Sequence, residues 1–230
     1  MQFKKISIIM PAFNEARTIK KSIEEVLASD TMGLEKEIII VDDGSTDNTR
    51  NILSSLHGCK IIRHEKNLGK GAAVKTGFQN ATGDIVIIQD ADLEYSPSEY
   101  KKLIETLMDN SCDVVYGSRM LGKNPIGYWY MYFGNYAISL ATRILYGAKI
   151  TDVETCYKLF LKKVVDELDI QSRGFEIEPE ITAKILKKGF LVKEIPIQYS
   201  PRKYNEGKKI KWHDGVRALW ILVYYRFFSK

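Results

Sequence analysis

The sequence predicts an α/β fold with a mainly parallel sheet flanked by helices. Three observations carry that reading. Short β-branched runs recur at ISIIM, EIIIV, KIIRH, DIVII and DVVYG; most segments between them have helical periodicity; and three of the runs end in acidic or turn-forming residues. Ligands of such sheets gather at the carboxyl ends of the strands, so the pattern that predicts the fold also predicts where to look for a site.

The elements follow in order. MQFKKISIIMPAFNEA carries two lysines before a short apolar run, but charge returns too soon for a signal peptide, and residues 6–10 read as the first strand. Ile19, Ile23, Val26 and Leu27 then recur at helical spacing with charges between them. After EIIIV and the turn VDDGSTDNT, Ile52, Leu53 and Leu56 repeat the helical pattern, with Ser45 or Thr46 available as N-cap. NLGKGAAVKTG has glycines but not the G-x-x-x-x-G-K-[ST] spacing of a phosphate loop. It reads as a tight turn entering a small-residue helix packed on the sheet, with Lys70 a subsidiary candidate for a nucleotide contact. DIVII leads into QDADLEY, PSEYKKLIETL into the next helix, and DVVYG into Ser118 and Arg119.

Around Gly122 the composition changes, and GYWYMYFGNYAISLATRILYG is aromatic with Arg143 as its one charge. Later, EPEITAKILKKG predicts a helix stopped by Gly189, and LVKEIPIQYS alternates like a strand. The stretch KKIKWHDGVRALWILVYYRFFSK is again aromatic and basic.

Composition narrows the function classes. With 230 residues, 45% hydrophobic and 27% charged, the chain is sized for one large globular domain or a domain with an appendage, and global disorder is excluded. Net charge is +5, a mild bias toward anionic ligands. The three cysteines, Cys59, Cys112 and Cys156, form no C-x-x-C pair, which argues against a zinc site or disulfide framework. The first half offers acids where a phosphate backbone would have to lie, so nucleic-acid binding ranks lowest.

Asp90, Asp92 and Glu94 sit at alternating positions just past a buried strand. Unpaired carboxylates are costly there, whereas a hard divalent cation bridging them to an anionic ligand makes the cluster favourable. A polar loop capping the following helix is the alternative. VDDGSTDNT after the second run and Asn14–Glu15 after the first add further acids at neighbouring strand ends, as a nucleotide pocket requires.

Together PAFNE, VDDGSTDNT, NLGKGAAVKTG, DAD and GSR resemble a family 2 glycosyltransferase of the GT-A fold. TDVETCYK, EPEI and YSPRKYNEGKKIKWHDG are similar to the branch that glycosylates polyprenyl or dolichyl phosphates. The resemblance implies a single GT-A domain over residues 1–230, with a nucleotide-sugar-binding half, 1–121, and an acceptor-binding half with amphipathic helices, 122–230. It implies that Pro11, Phe13, Glu15 and Asp42 surround the nucleoside, with Asp90 and Ala91 beside it. Asp90, Asp92 and Glu94 would hold Mg²⁺ or Mn²⁺ against the donor diphosphate. Arg119 of GSR would add positive charge for the phosphates.

Whether a base is needed depends on the acceptor. A sugar hydroxyl requires one, and Asp152 is the candidate. A phosphate monoester does not, because its second pKa is about 6 and its oxygens are already anionic. For that acceptor, Asp152 orients the acceptor site, and Arg202 with lysines such as Lys203, Lys208, Lys209 and Lys211 meets phosphate. Arg217 follows shortly after.

The resemblance thus implies an inverting transfer from a nucleotide-sugar (UDP-glucose, UDP-N-acetylglucosamine or GDP-mannose) to a polyprenyl phosphate. Transfer to a saccharide hydroxyl, nucleotidyl transfer and a non-catalytic nucleotide-binding module are the competing readings. A spanning helix needs about 20 apolar residues; ALWILVYY is too short, and residues 128–147 are interrupted by Gly134, Asn135, Ser139 and Thr142. Both aromatic segments suit helices lying in a membrane interface, a docking helix or an oligomer contact. The expected location is cytoplasmic, peripheral at the membrane face or recruited there by a membrane partner.

Overall fold

The computed structural model describes residues 3–109, 111–125, 129–202 and 212–229, without the side chains of residues 212 and 213. The predicted runs become β1 (Lys5–Ala12), β2 (Glu35–Asp42), β3 (Lys60–Arg63), β4 (Ile85–Ile88), β5 (Val114–Ser118) and β7 (Val192–Pro196). One strand was not expected: β6 (Lys158–Leu161) begins at the last residue of the TDVETCYK motif. The helices are α1 (Ile19–Ala28), α2 (Thr49–Ser54), α3 (Lys70–Asn80), α4 (Tyr100–Met108), α5 (Trp129–Tyr146), α6 (Lys162–Glu167), α7 (Ile177–Lys187) and α8 (Trp212–Phe227).

The seven strands form one sheet in the order β3-β2-β1-β4-β6-β5-β7. All pairings are parallel except those of β6, which runs antiparallel to both β4 and β5. Reversal of this one strand has a functional consequence. The residues leading into β6 share an edge with the carboxyl ends of β1, β2, β4, β5 and β7, so chain segments distant in sequence meet there.

Continuous apolar runs in β1, β2 and β4 reflect burial on both faces, as expected for central parallel strands. One face packs Ile9, Ile39 and Val86 against α3, α5, α7 and α8 through Val74, Phe78, Ile138, Ile181 and Leu222. The other packs Ile8, Met10 and Ile87 against α1, α2 and α4 through Ile23, Val26, Leu53, Leu103 and Ile104. Leu27, on the predicted helical face of α1, is instead half exposed. On α3, Gly77 meets Ile9 so closely that a β-carbon there would collide with the isoleucine side chain, which accounts for the small residues of AAVKTG.

Neither Ser45 nor Thr46 caps α2. Asn48 takes the N-cap position, Asp47 accepts a hydrogen bond from the Thr49 backbone at 2.9 Å, and Ser45 is drawn away to accept one from the Asn14 backbone at 3.0 Å. The polar positions that interrupt the hydropathy of α5 prove to be its inward face. Asn135, Ser139 and Thr142 are buried, while Trp129, Phe133 and Ile144 are 60–75% exposed. Among the described residues no helix is long and apolar enough to cross a membrane.

Candidate active site

The site forms where the strand ends meet. Asn14 adopts a left-handed backbone (φ 54°), and its side-chain oxygen accepts hydrogen bonds from the backbones of Thr46 (2.8 Å) and Asp47 (3.3 Å). Glu15 donates its backbone N–H to the Thr49 hydroxyl at 2.9 Å. These bonds lace the PAFNE and VDDGST turns together. Gly44 (φ 72°) lies against the backbone of Lys66 and Asn67, where a side chain has no room. Asp43 then accepts from the backbones of Leu68 (2.9 Å) and Gly69 (2.8 Å) and from His64 Nδ1 at 2.7 Å, fixing the turn that starts α3. Gly69 (φ 100°) lets that turn press on the Arg173 carbonyl, which accepts from Gly71 at 2.7 Å.

A cavity of about 410 Å³ opens along this edge, within the size range of small-molecule sites. Pro11, Phe13, Glu15, Asp90, Ala91, Asp92, Glu94, Arg119 and Arg202 line it, so most of the residues singled out from the sequence converge. Asp42 does not line it. It is fully buried, accepting from the Ser45 backbone at 3.0 Å and approached by Arg50 Nε at 3.5 Å, and its neighbour Asp43 faces the cavity. Lys203 and Lys208 lie outside the described residues.

The acids past β4 are crowded and paired with cations. Leu93 takes a left-handed conformation (φ 65°) between Asp92 and Glu94, a strained geometry of the kind concentrated at functional turns. Asp90 pairs with Lys70 at 2.9 Å, and Asp92 with Arg202 at 2.9 Å. Arg202 also reaches Glu15 at 3.1 Å. Glu94 accepts from the Tyr199 hydroxyl and from the Arg202 backbone, both at 2.7 Å, and so ties the 199–202 segment to the site. Burial and the neighbouring Asp90 and Glu94 push the Asp92 carboxyl up to about 7. Burial would do the same to Asp90, but Lys70 outweighs it and holds that group below its ordinary value.

Among the described residues no three metal-ligating side chains already gather around one point. Asp90 and Asp92 nevertheless fit a hard divalent cation: both are oxygen donors on the same cavity wall, and their mutual repulsion is what a cation relieves. Glu94, expected as a third ligand, is engaged by Tyr199 and Arg202.

Asp152 is fully buried and absent from the cavity lining. Its carboxylate accepts from the Arg119 backbone (2.8 Å), Arg119 Nε (2.8 Å), Arg119 Nη2 (2.7 Å) and Asn135 Nδ2 (2.9 Å). Burial opposes its charge, but Arg119 prevails and keeps it below the ordinary carboxylate value. Asp152 thus aims Arg119, which stands 5.2 Å from the Tyr199 ring centroid.

Glu154, Cys156 and Glu178 are lining residues that sequence reasoning missed, whereas Lys70, its subsidiary candidate for a nucleotide contact, also lines the cavity. Lys70 bridges Asp90 and Glu178 (3.3 Å), with charge sustained against burial by Asp90, Cys156 and Glu178. Glu178, in the EPEI motif, also binds the fully buried Lys158. Glu154 and Cys156 come from the segment before β6, and their one signal was membership in TDVETCYK.

Comparison with known proteins identifies the family. The model of the family described as Glycosyl transferase family 2 matches residues 7–169. The chain is 32% identical to a UDP-N-acetylglucosamine–dolichyl-phosphate N-acetylglucosaminyltransferase of Methanococcus voltae, with 97% of this chain and 96% of that protein covered. It is 33% identical to a dolichol-phosphate mannosyltransferase of Pyrococcus furiosus over 89% of this chain, but spans 59% of that longer protein. Among solved structures, glucosyl-3-phosphoglycerate synthase of Mycobacterium tuberculosis, crystallised with Mn²⁺, UDP and phosphoglyceric acid, superposes with a TM-score of 0.76. That match has 19% identity and covers 99% of this chain and 80% of the other, a likeness of fold.

Proposed function

Because the chain belongs to glycosyltransferase family 2, we propose that it is an inverting transferase that moves a sugar from a nucleotide-sugar to a polyprenyl phosphate. The carrying observation is the wall of Asp90 and Asp92 facing Lys70, Arg119 and Arg202 in one cavity, a charge pattern suited to bringing two phosphate-bearing substrates together. Relatives named for transfer to dolichyl phosphate support the acceptor class.

In this reading Pro11, Phe13, Glu15 and Asp43 border the nucleoside, and Asp90 and Asp92 would hold Mg²⁺ or Mn²⁺. Such a cation would neutralise the donor diphosphate and the charge that grows on it as it leaves. Arg119 and Arg202 attract the acceptor phosphate. An anionic phosphate oxygen attacks the anomeric carbon from the side opposite the leaving group, the bond to the nucleoside diphosphate breaks, and the anomeric configuration inverts. Proton removal is not required, which agrees with the full engagement of Asp152 by four donors. Lipid delivery falls to the exposed aromatic faces of α5 and α8, where Trp129, Phe133, Trp220 and Phe227 are each at least 60% exposed. They would rest on a membrane surface, on its cytoplasmic side.

The test is nucleoside diphosphate release from UDP-glucose, UDP-N-acetylglucosamine and GDP-mannose, with and without polyprenyl phosphate and Mn²⁺. Release should require both additions, and Asp92→Ala should reduce it by about 100-fold or more. Pyrophosphate as the product, or an unchanged rate in Asp92→Ala, would overturn the reading.

A further inference from the structure

In the donor reading above, the nucleoside lies over the ends of β1 and β2 and the diphosphate at the β4 carboxylates, and the cavity continues along the sheet edge to the next strand, where there is room for the sugar. That strand is β6, and the residues entering it at this edge are Glu154 and Cys156.

Glu154 and Asp152 belong to the same short segment but differ in their surroundings. Asp152 has four donors and no access to the cavity. Glu154 lines the cavity, and its Oε1 is buried with no hydrogen-bond partner among the described residues. Arg119 is held by Asp152 and Lys158 by Glu178, so the nearby cations are committed elsewhere. A buried carboxyl oxygen left unsatisfied is costly, and a bound molecule carrying hydroxyl donors would remove that cost. A pyranose, unlike the diphosphate, offers such donors. Burial and the nearby Glu178 raise the Glu154 carboxyl to about 7, against the partial offset of Lys158 and Arg119, so the group is not a fixed anion repelling the phosphates at neutral pH.

We propose that Glu154 recognises hydroxyl groups of the transferred sugar, and so sets which donors the enzyme accepts. This inference rests on the donor reading above and adds a specificity-determining residue to it. A site built to pair with a hydroxyl discriminates strongly against an analogue lacking it, because its own polar group is then left unpaired.

The experiment compares wild type, Glu154→Gln and Glu154→Ala. The best donor among UDP-glucose, UDP-N-acetylglucosamine and GDP-mannose is identified first, and kcat/KM is then measured for it and for its monodeoxy analogues. Wild type should disfavour at least one analogue by about 10–100-fold. In Glu154→Ala the natural donor should fall by a similar factor, and the penalty for that analogue should collapse to within about threefold, because the missing hydroxyl no longer has a partner to lose. Glu154→Gln, near in shape, should lie between. Calorimetry with the matching nucleoside diphosphate and Mn²⁺ should give wild-type affinity in both variants, which a general loss of structure would not. If wild type shows donor binding and turnover but every analogue penalty persists in both variants, this inference alone is overturned. If wild type binds none of the three donors, the donor reading falls and takes this inference with it.

Discussion

Replacing Asp152 separates a scaffold role from a catalytic one. In the structure its carboxylate holds Arg119 through three bonds of 2.7–2.8 Å and Asn135 through a fourth, with the side chain fully buried. Removing one partner of a buried pair costs about 3–5 kcal/mol. Arg119 remains about one-fifth exposed at the cavity and can recruit water, so Asp152→Ala is placed at the lower end, about 3 kcal/mol. For a chain of this length that corresponds to a fall in Tm of roughly 6–12 °C. Asp152→Asn keeps an acceptor for the Arg119 backbone and should lose less, about 1–2 kcal/mol. Thermal and urea unfolding followed by circular dichroism give the stabilities, and diphosphate release gives the rates. Activity should fall together with stability. The Arg119→Ala/Asp152→Ala double variant should lose less than the sum of the singles, the mark of two residues acting on each other. A Tm unchanged in Asp152→Asn beside a collapsed kcat would refute the argument and restore the carboxylate as a base.

Two further predictions concern the sheet. Burial would raise the Glu37 carboxyl, but bonds from Ser7, Thr82 and Lys5 outweigh it and bring the group from 4.5 down to about 2. The folded state therefore binds fewer protons than the unfolded one, and with solvent screening at this partly exposed site about 1–2 kcal/mol of stability present above pH 4.5 is lost as the pH falls through 2; urea midpoints should show a shallower acid loss in Glu37→Gln. Gly77→Ala should destabilise by about 1–2 kcal/mol, a clash with Ile9 partly offset by better helix propensity. By calorimetry the Gly77→Ala/Ile9→Ala double variant should lose less than the sum of the two single variants, because the truncated isoleucine no longer meets the new β-carbon, and strict additivity would count against the packing account.

Legibility in the sequence followed the physics of repetition. Strands β1, β2 and β4 announce themselves because central parallel strands are apolar on both sides, and α1 and α4 because one face is buried. β6 carries no such signal: its four residues begin at the end of a loop motif, and its partners β4 and β5 lie far back in the chain. In α5 the aromatic residues drew attention, yet Asn135 and Ser139 are the buried positions, satisfied by Asp152 and by the Val153 backbone at 3.3 Å. Hydropathy cannot foresee that, since the compensating groups come from another segment. The same limit explains Asp42. Adjacent residues at a strand end point to opposite sides, and pattern alone does not say whether Asp42 or Asp43 meets the cavity. Asp90, Asp92 and Arg202 were legible because motif chemistry marked them. Lys70 and Glu154 acquire meaning only when α3 and the entry to β6 are set against the same carboxylates.

The pairing of those carboxylates bears on the cation proposed above. Among the described residues that line the cavity, carboxyl groups outnumber the cations Lys70, Arg119 and Arg202. Lys70 and Arg202 already neutralise Asp90 and Asp92, so a diphosphate entering the cavity would compete with those acids for the same positive charges. The upward push on the Asp92 carboxyl from burial, Asp90 and Glu94 expresses the same excess of negative charge. A divalent ion beside these acids would offset that charge and release Lys70 and Arg202 toward phosphate oxygens. The acids and bases of the site are thereby complementary to a metal and an anion together, and poorly suited to an anion alone.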